Sequence, residues 1–378
     1  MYDILLNWYD PQAIRHTMLI KQLLKAICNS LIQNMLIFSF IVLCLSLLGQ
    51  LLQENREHNS IMAAKHLALK SGAKMPVIGL GTWGAPAKVV ATAVENAIDA
   101  GYRHIDCAHD YENESEVGDG IKAKLDGGVI KREELFVTSK LWLTSFAPNK
   151  VKPAIENSLK KLKLEYLDLY LLHFPFALKE NQVEVKDGNY DVNNDESIDY
   201  VDTWKELIKL QKSGLTRSIG VSNFNRFQLE RLSKETSYVP DVHQFECHPY
   251  LDQTDMVEFC QSKGIVVTGY SPLGSPGNRD ISDPTLFEEP ILIDIAKKYM
   301  KTVAQVLLRY QIQRNVIVIP KSVTPARITS NIDLFNFVID EGDMTKIKNL
   351  NRNWRTCDVD GWASKSHKYY PFRKDYTE

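Results

Sequence analysis

The chain has 378 residues with a formal net charge of −2; 44% of the residues are hydrophobic, 24% are charged and six are cysteines. A charge so close to zero excludes the strongly basic surface of a nucleic-acid-binding protein. Six cysteines without paired spacing predict neither a disulfide framework nor a metal site. The length fits one large domain with an extension, or two medium domains.

The first feature along the chain is a hydrophobic extension, residues 1–61. Within it, residues 35–52 read MLIFSFIVLCLSLLGQLL, which is long enough to cross a bilayer as a helix. The cations Arg15, Lys21 and Lys25 precede this segment and predict a cytosolic N-terminus, with the rest of the chain across the membrane. The alternative is that residues before Met62 are a poorly structured alternative start. Both interpretations remain open, and membrane association is predicted only through residues 35–52.

After Met62 the sequence alternates between short apolar runs and segments of helical periodicity. Most runs are continuously apolar, which is typical of parallel strands buried on both faces. Eight strand–helix pairs predict an α/β fold, a (β/α)8 TIM barrel over residues 62–378. Residues 181–199 are interpreted as a polar surface loop. The eight apolar runs are residues 77–82, 102–108, 135–141, 167–173, 218–223, 242–246, 265–270 and 316–319.

An open, doubly wound dinucleotide-binding sheet is the alternative fold. It requires the pattern GxGxxG directly after the first strand. Gly79 and Gly81 supply the first half of the pattern, but the following segment lacks the rest of the fingerprint. The barrel is therefore the favoured prediction.

Polar residues follow the predicted strands, at the end of a barrel where chemistry is normally located. Asp106, Lys140 and His173 end the second, third and fourth runs, and Tyr111 lies in the loop after the second. A strand-end lysine or histidine on its own is commonly structural, but four such groups would converge on one pocket. A buried lysine needs a carboxylate, which Asp106 would supply. A cation beside a tyrosine lowers the pKa of the phenol, which predicts Tyr111 as a general acid.

Motifs after residue 62 resemble those of the aldo-keto reductases, in particular the aldose reductase and aldehyde reductase group. The resemblance covers nearly all of the chain beyond the extension, and the extension has no counterpart in it. The motifs are GYRHIDCAHDYENE at residues 101–114, LW at 141–142, LDLYLLHFP at 167–175, GVSNF at 220–224, QFECHPY at 244–250 and IPKSVTP at 319–325.

This resemblance implies a barrel enzyme that reduces aldehydes and ketones with NADPH. It implies that Tyr111 protonates the carbonyl oxygen, that Lys140 paired with Asp106 lowers the pKa of Tyr111, and that His173 orients the carbonyl. The implied cofactor-binding residues are Gly81, Thr82, Trp83, Asp106, Ser222, Asn223, Gln244, Tyr270, Ser271, Leu273, Ser275, Lys321, Ser322, Arg327 and Asn331. Lys321, Ser322 and Arg327 would bind the 2′-phosphate that distinguishes NADPH from NADH.

The substrate pocket implied by the resemblance is largely apolar. Its predicted lining is Trp83, Tyr111, Trp142, His173, Phe174, Trp354 and Cys357. Phe174 replaces a tryptophan that is common in the family, the loop at residues 274–284 is short, and Ser330 replaces a glutamate expected near the adenine. These departures bear on substrate preference and on the rate of NADP⁺ release.

Two functional hypotheses follow. The first is an NADPH-dependent aldehyde reductase that also acts on aldoses and some ketones; it is expected to be a cytosolic monomer. The second is a non-enzymatic, redox-sensing NADPH-binding partner of a membrane protein. The complete set of four catalytic candidates favours the first, and only the hydrophobic extension favours the second.

Overall fold

The computed structural model describes residues 66–179, 184–186, 189–191, 194–277, 280, 282–357 and 367–372. The predicted extension at residues 1–61, with its candidate membrane segment at 35–52, lies outside them. The described chain begins with two antiparallel strands, β1 (His66–Ala68) and β2 (Lys74–Pro76). Gly72 in the turn between them has a φ of 89°, a conformation that favours glycine.

Eight parallel strands form the central sheet of the described residues. They are β3 (Leu80–Gly81), β4 (His104–Asp106), β5 (Phe136–Leu141), β6 (Leu167–Leu172), β9 (Thr216–Ser222), β10 (Val242–Glu246), β11 (Val266–Tyr270) and β12 (Val316–Val318). Each strand pairs with the next in this order. Parallel bridges from Ile78 to Val318 and from Gly81 to Lys321 join the first strand to the last. The sheet therefore closes into a barrel, which confirms the predicted fold class.

Helices follow the barrel strands, as the periodicity predicted. They are α1 (Ala87–Asp99), α2 (Glu114–Asp126), α3 (Pro148–Leu162), α4 (Tyr200–Ser213), α5 (Arg226–Thr236), α6 (Thr254–Ser262), α7 (Pro290–Tyr299), α8 (Val303–Gln313), α9 (Pro325–Ile332) and α10 (Glu341–Lys348). Local sequence sets where many of them begin. Proline occupies the first turn of α3, α7 and α9, and Thr302 and Gln305 form a reciprocal capping box at the start of α8.

The β1–β2 hairpin closes the N-terminal end of the barrel. Leu69 and Met75 are buried in one cluster with Phe136, Val242 and Ile317, which lie at or near the starts of their strands. Hydrophobic burial at this end leaves the opposite, C-terminal end of the barrel for the polar side chains.

The insertion before α4, residues 181–199, was predicted to be a surface loop, and the structure differs from this prediction. It contains a short antiparallel hairpin, β7 (Glu184–Lys186) and β8 (Asn189–Asp191). Local pairing of this kind leaves no strong apolar pattern in the sequence, because the hairpin lies outside the barrel sheet. No helix in the described part of the chain has the length and apolar character needed to span a membrane.

Candidate active site

Four polar residues meet at the C-terminal end of neighbouring strands β4, β5 and β6. Asp106 is the last residue of β4, and Tyr111 ends the single helical turn His109–Tyr111 that follows it. Lys140 lies near the end of β5, and His173 directly follows β6. Lys140 is 0% and Asp106 1% exposed, so the pair is fully removed from solvent.

The Lys140 ammonium uses all three of its N–H donors. Nζ donates to Asp106 Oδ1 at 2.5 Å, to the Cys107 carbonyl at 2.8 Å and to Tyr111 Oη at 3.1 Å. Burial opposes the charged form, but the carboxylate and the tyrosine outweigh it and raise the pKa of Lys140. The lysine is therefore a fixed cation that touches the phenol oxygen.

The expected lowering of the Tyr111 pKa is wrong in this structure. Burial raises the pKa of Tyr111 above its ordinary value, and the Lys140 charge opposes that rise only in part. The phenol consequently keeps its proton near neutral pH, and the neighbouring ammonium can stabilise the phenolate that remains after a proton is donated.

His173 borders the same space with its ring. Its centroid lies 5.9 Å from that of Tyr111 and 5.3 Å from that of Trp142, both in edge-on geometry, and Phe174 stacks at 5.4 Å. Burial and the Lys140 charge hold the pKa of His173 well below its usual value, so the imidazole is neutral. Nδ1 of His173 has no hydrogen-bond partner among the described residues, which leaves it hydrogen-bonding capacity.

An amide cluster borders the four groups. Gln244 Nε2 donates to Asp106 Oδ2 at 2.8 Å, so both oxygens of that carboxylate are occupied. Asn223 Nδ2 donates to the His173 carbonyl and to Ser222 Oγ, each at 3.1 Å, and Tyr270 Oη donates to Asn223 Oδ1 at 2.9 Å. The structure thus joins Ser222, Asn223 and Tyr270 in one hydrogen-bonded group at the His173 carbonyl, and it joins Gln244 to Asp106.

The glycine at position 81 is required by the closing of the barrel. A Cβ there would lie 2.5 Å from the Ile319 carbonyl oxygen. Beside it, buried Thr82 donates from Oγ1 to the Asp106 carbonyl at 2.9 Å, whereas Trp83 is 43% exposed at the rim.

The remaining cofactor candidates lie after β11 and β12. Ser275 Oγ donates to Ser271 Oγ at 2.9 Å, and Leu273 between them is half-buried in the apolar core. After β12, Lys321 and Arg327 are exposed and form no ion pair with the described residues, Ser322 Oγ accepts from the Thr324 N–H at 3.1 Å, and Asn331 is buried in α9.

The C-terminal substrate candidates reach the site from residues 351–357. Trp354 packs 5.9 Å from the His248 ring and 6.3 Å from the Tyr250 ring, with no ring contact to the catalytic candidates among those described. Cys357 lies close enough to Tyr111 and Tyr270 for its charge to affect the pKa of both. The Cys357 N–H also donates to Glu246, the last residue of β10, so the segment reaches the same end of the barrel as the proton donor.

The sequence analysis assigned no role to several supporting residues. Asn113 is buried and donates to the Thr82 and Ala85 carbonyls, which fixes the loop after β3. Glu114 is buried and accepts from Ser139 and Ser158, and Glu246 is buried under residues 356–357. Asp110 precedes Tyr111 in the same helical turn. All four lie within the motifs at residues 101–114 and 244–250, and their place in those motifs is the sequence signal that could have identified them.

Known proteins are similar to this chain over most of its length. A family profile described as the Aldo/keto reductase family matches residues 77–352. Aldo-keto reductase family 1 member A1 of Xenopus tropicalis is 47% identical over 326 residues, covering 83% of this chain and 99% of the relative. The Homo sapiens protein of the same name is 45% identical over 330 residues, covering 83% and 100%. A crystal structure of Bombyx mori aldo-keto reductase in complex with NADP is 41% identical, with a TM-score of 0.74 and coverage of 81% and 98%.

Proposed function

We propose, from the premise that this chain belongs to the aldo/keto reductase family, that it reduces small aldehydes, with aldoses and some ketones as further substrates, to alcohols. As a member of that family it is an NADPH-dependent oxidoreductase that acts on carbonyl compounds. The observation that carries the finer proposal is the contact of the buried Lys140 ammonium with both Asp106 and Tyr111 Oη.

The residues around this contact fit a nicotinamide cofactor. The amides of Asn223 and Gln244 and the ring of Tyr270 are polar and planar groups at the strand ends, suited to a carboxamide and its ring. Lys321 and Arg327 are exposed cations that form no ion pair with the described residues, and they are suited to a 2′-phosphate. When bound, NADPH supplies the hydride.

Tyr111 donates its phenol proton to the carbonyl oxygen as that oxygen gains negative charge. Lys140 stabilises the phenolate left behind, and Asp106 and the Cys107 carbonyl hold the ammonium in place. Neutral His173 is positioned to donate or accept a hydrogen bond without adding a charge, which orients the carbonyl. Trp142 and Phe174 supply apolar walls through their contacts with the His173 ring.

The alternative of a non-enzymatic NADPH-binding partner is not supported. A binding module would not need a buried lysine held against a proton donor, an arrangement that costs desolvation and serves proton transfer. The relatives are also named as reductases.

The test is Tyr111→Phe, which removes one oxygen from the site. We expect aldehyde-dependent NADPH oxidation to fall by at least about 100-fold, because a general acid contributes roughly 10²–10⁴-fold. NADPH binding, followed by quenching of tryptophan fluorescence, is expected to stay within about twofold. Tyr166→Phe is the matched control, since Tyr166 precedes β6 at the other end of the barrel. Wild-type turnover by Tyr111→Phe would refute the proposal.

We also propose a cytosolic, monomeric enzyme. The described cysteines, Cys107, Cys247, Cys260 and Cys357, form no disulfides, which fits a reducing compartment. Size-exclusion chromatography with light scattering tests the monomer; a dimer mass would overturn it.

A further inference from the structure

Glu246 is a buried carboxylate that the proposed mechanism does not use. It ends strand β10 and is 0% exposed. Its hydrogen-bond donors come from two parts of the chain. Nε2 of His248, two residues along, lies 2.8 Å from Oε1, and the others belong to a segment about 110 residues away.

That distant segment is residues 355–357. The Thr356 N–H donates to Glu246 Oε1 at 2.7 Å, Thr356 Oγ1 donates to the same atom at 2.9 Å, and the Cys357 N–H donates to Oε2 at 3.0 Å. The Arg355 guanidinium stands 3.8 Å from Oε2. A buried carboxylate is tolerable only with such donors, so the glutamate and the segment depend on each other.

The loop that follows β10 holds residues 352–354 by weaker hydrogen bonds than those that Glu246 accepts. The Tyr250 carbonyl accepts from the N–H groups of Arg352 at 3.1 Å and Trp354 at 3.0 Å, and Arg352 also reaches Glu289. Strand β10, by contrast, is held independently by its ladders with β9 and β11. Loss of the Glu246 carboxylate is therefore expected to release residues 355–357 more than it disturbs the barrel.

We propose that Glu246 is a positioning residue that holds residues 355–357 in place as one wall of the carbonyl pocket, so that discrimination between small and bulky aldehydes depends on its carboxylate. This inference rests on the proposed function. It follows from the position of the anchor. The Cys357 N–H donates to Glu246 at the end of β10, and Gln244, two residues earlier on the same strand, donates to Asp106 of the catalytic group. Glu246 would touch neither substrate nor cofactor and would act only through the segment it holds.

The test compares Glu246→Gln with the wild type on two aldehydes, propanal and 4-nitrobenzaldehyde. We expect KM for the bulky aldehyde to change by about tenfold or more, the size of losing one hydrogen bond to a charged group. For propanal we expect KM and kcat within about threefold. Glu258→Gln is the matched control, because Glu258 is exposed on the adjacent helix α6. Equal changes of KM for both aldehydes, or no change for either, would overturn the proposal.

A second readout does not depend on turnover. Trypsin cleaves after arginine, and we expect cleavage after Arg352 or Arg355, followed by mass spectrometry, to be faster in Glu246→Gln than in the wild type and in Glu258→Gln. Unchanged cleavage would overturn the anchoring. A wild type that oxidises no NADPH with any aldehyde would refute the proposed function instead, while the trypsin result would still decide the anchor.

Thr356→Val approaches the same contact from the other side and removes one donor with little change in shape. Thr356→Val replaces Glu246→Gln in both tests if Glu246→Gln does not fold. With both variants in hand, we expect the double variant to shift the ratio of the two KM values less than the sum of the single effects, since both act on one contact. Fully additive effects would overturn the assignment.

Discussion

Single residues in the site are governed by burial as much as by their charged neighbours. The cation beside Tyr111 does favour the phenolate, as the sequence predicted, but removal from water disfavours it more strongly. Burial also disfavours the charged form of Lys140, but Asp106 at 2.5 Å and Tyr111 outweigh it, so the pKa of the lysine is raised. The direction of a pKa shift therefore depends on how completely a side chain is enclosed, which the sequence did not reveal.

Asp110 illustrates the same balance and gives a prediction about stability. Burial and then the Glu112 charge raise the pKa of Asp110 from 3.8 to about 6, opposed by Lys140. Between these values the native state binds more protons than the unfolded state, so this group makes the free energy of unfolding fall as pH rises. Above about pH 6 the ionised Asp110 remains destabilising.

Asp110→Asn removes this penalty. We expect the variant to gain stability relative to the wild type as the pH rises from 4 to 7, measured as the difference between their free energies of unfolding. The shift should be at most about 1 kcal/mol. The carboxylate is crowded enough by its neighbours for its pKa to rise, but the residue as a whole keeps an exposed surface, so solvent screens much of the effect. Urea unfolding at several pH values measures it, with Glu165→Gln as an exposed control. A difference that does not vary with pH would contradict the assignment.

At the scale of elements, the sequence predicted most of the barrel. Continuous apolar runs placed seven of the eight strands to within a few residues, since burial on both faces leaves a strong signal. The first run, residues 77–82, retains only Leu80–Gly81 as a strand, and bridges supply its contact with β12. That contact joins residues about 240 positions apart, so no local pattern reports it.

The candidate site followed the same rule. Asp106, Lys140 and His173 could be predicted because strand ends meet at one end of a parallel barrel. The support from Glu246 could not, because its partners, Thr356 and Cys357, come from a distant segment without periodicity. The sequence thus predicts which side chains lie at the strand ends. It does not predict how residues 356–357 are positioned, because that depends on long-range hydrogen bonds.

The end of β12 and the start of α9 form an element pair with a prediction of its own. Lys321 and Arg327 are exposed there without an ion-pair partner among the described residues. We expect Lys321→Ala and Arg327→Ala each to raise the Kd for NADPH by roughly 10–100-fold, the loss of a hydrogen bond to a charged phosphate. The Kd for NADH should change by less than about threefold, because NADH lacks the 2′-phosphate.

Fluorescence titration of both cofactors measures the effect, and Lys348→Ala on α10 is the control, since this lysine is exposed on another helix. High salt should also weaken NADPH binding more than NADH binding, because screening acts on the phosphate. An equal loss of affinity for both cofactors would assign the two cations a role other than phosphate recognition.

For the whole molecule, every proposed site residue lies between residues 81 and 357, and we predict that residues 1–61 are not needed for activity. We expect a chain that starts at Met62 to have the same kcat/KM for propanal as the full-length chain, within about twofold. Carbonate extraction of cells that express the full-length chain separates the two interpretations of residues 35–52. Retention in the membrane pellet supports an anchor, and release with an N-terminus at Met62 supports an alternative start.

The side of the membrane on which an anchored barrel would lie is a separate question. The cations before residue 35 predict that the barrel is carried across, but that would place NADPH chemistry and four cysteines outside disulfides in an oxidising space. Three of these thiols are buried, and their conversion to disulfides would disrupt the core. We therefore expect the barrel to stay on the cytosolic side even if the extension is inserted. In sealed microsomes, added protease should digest the barrel without detergent; full protection until detergent is added would show that the charge rule prevails.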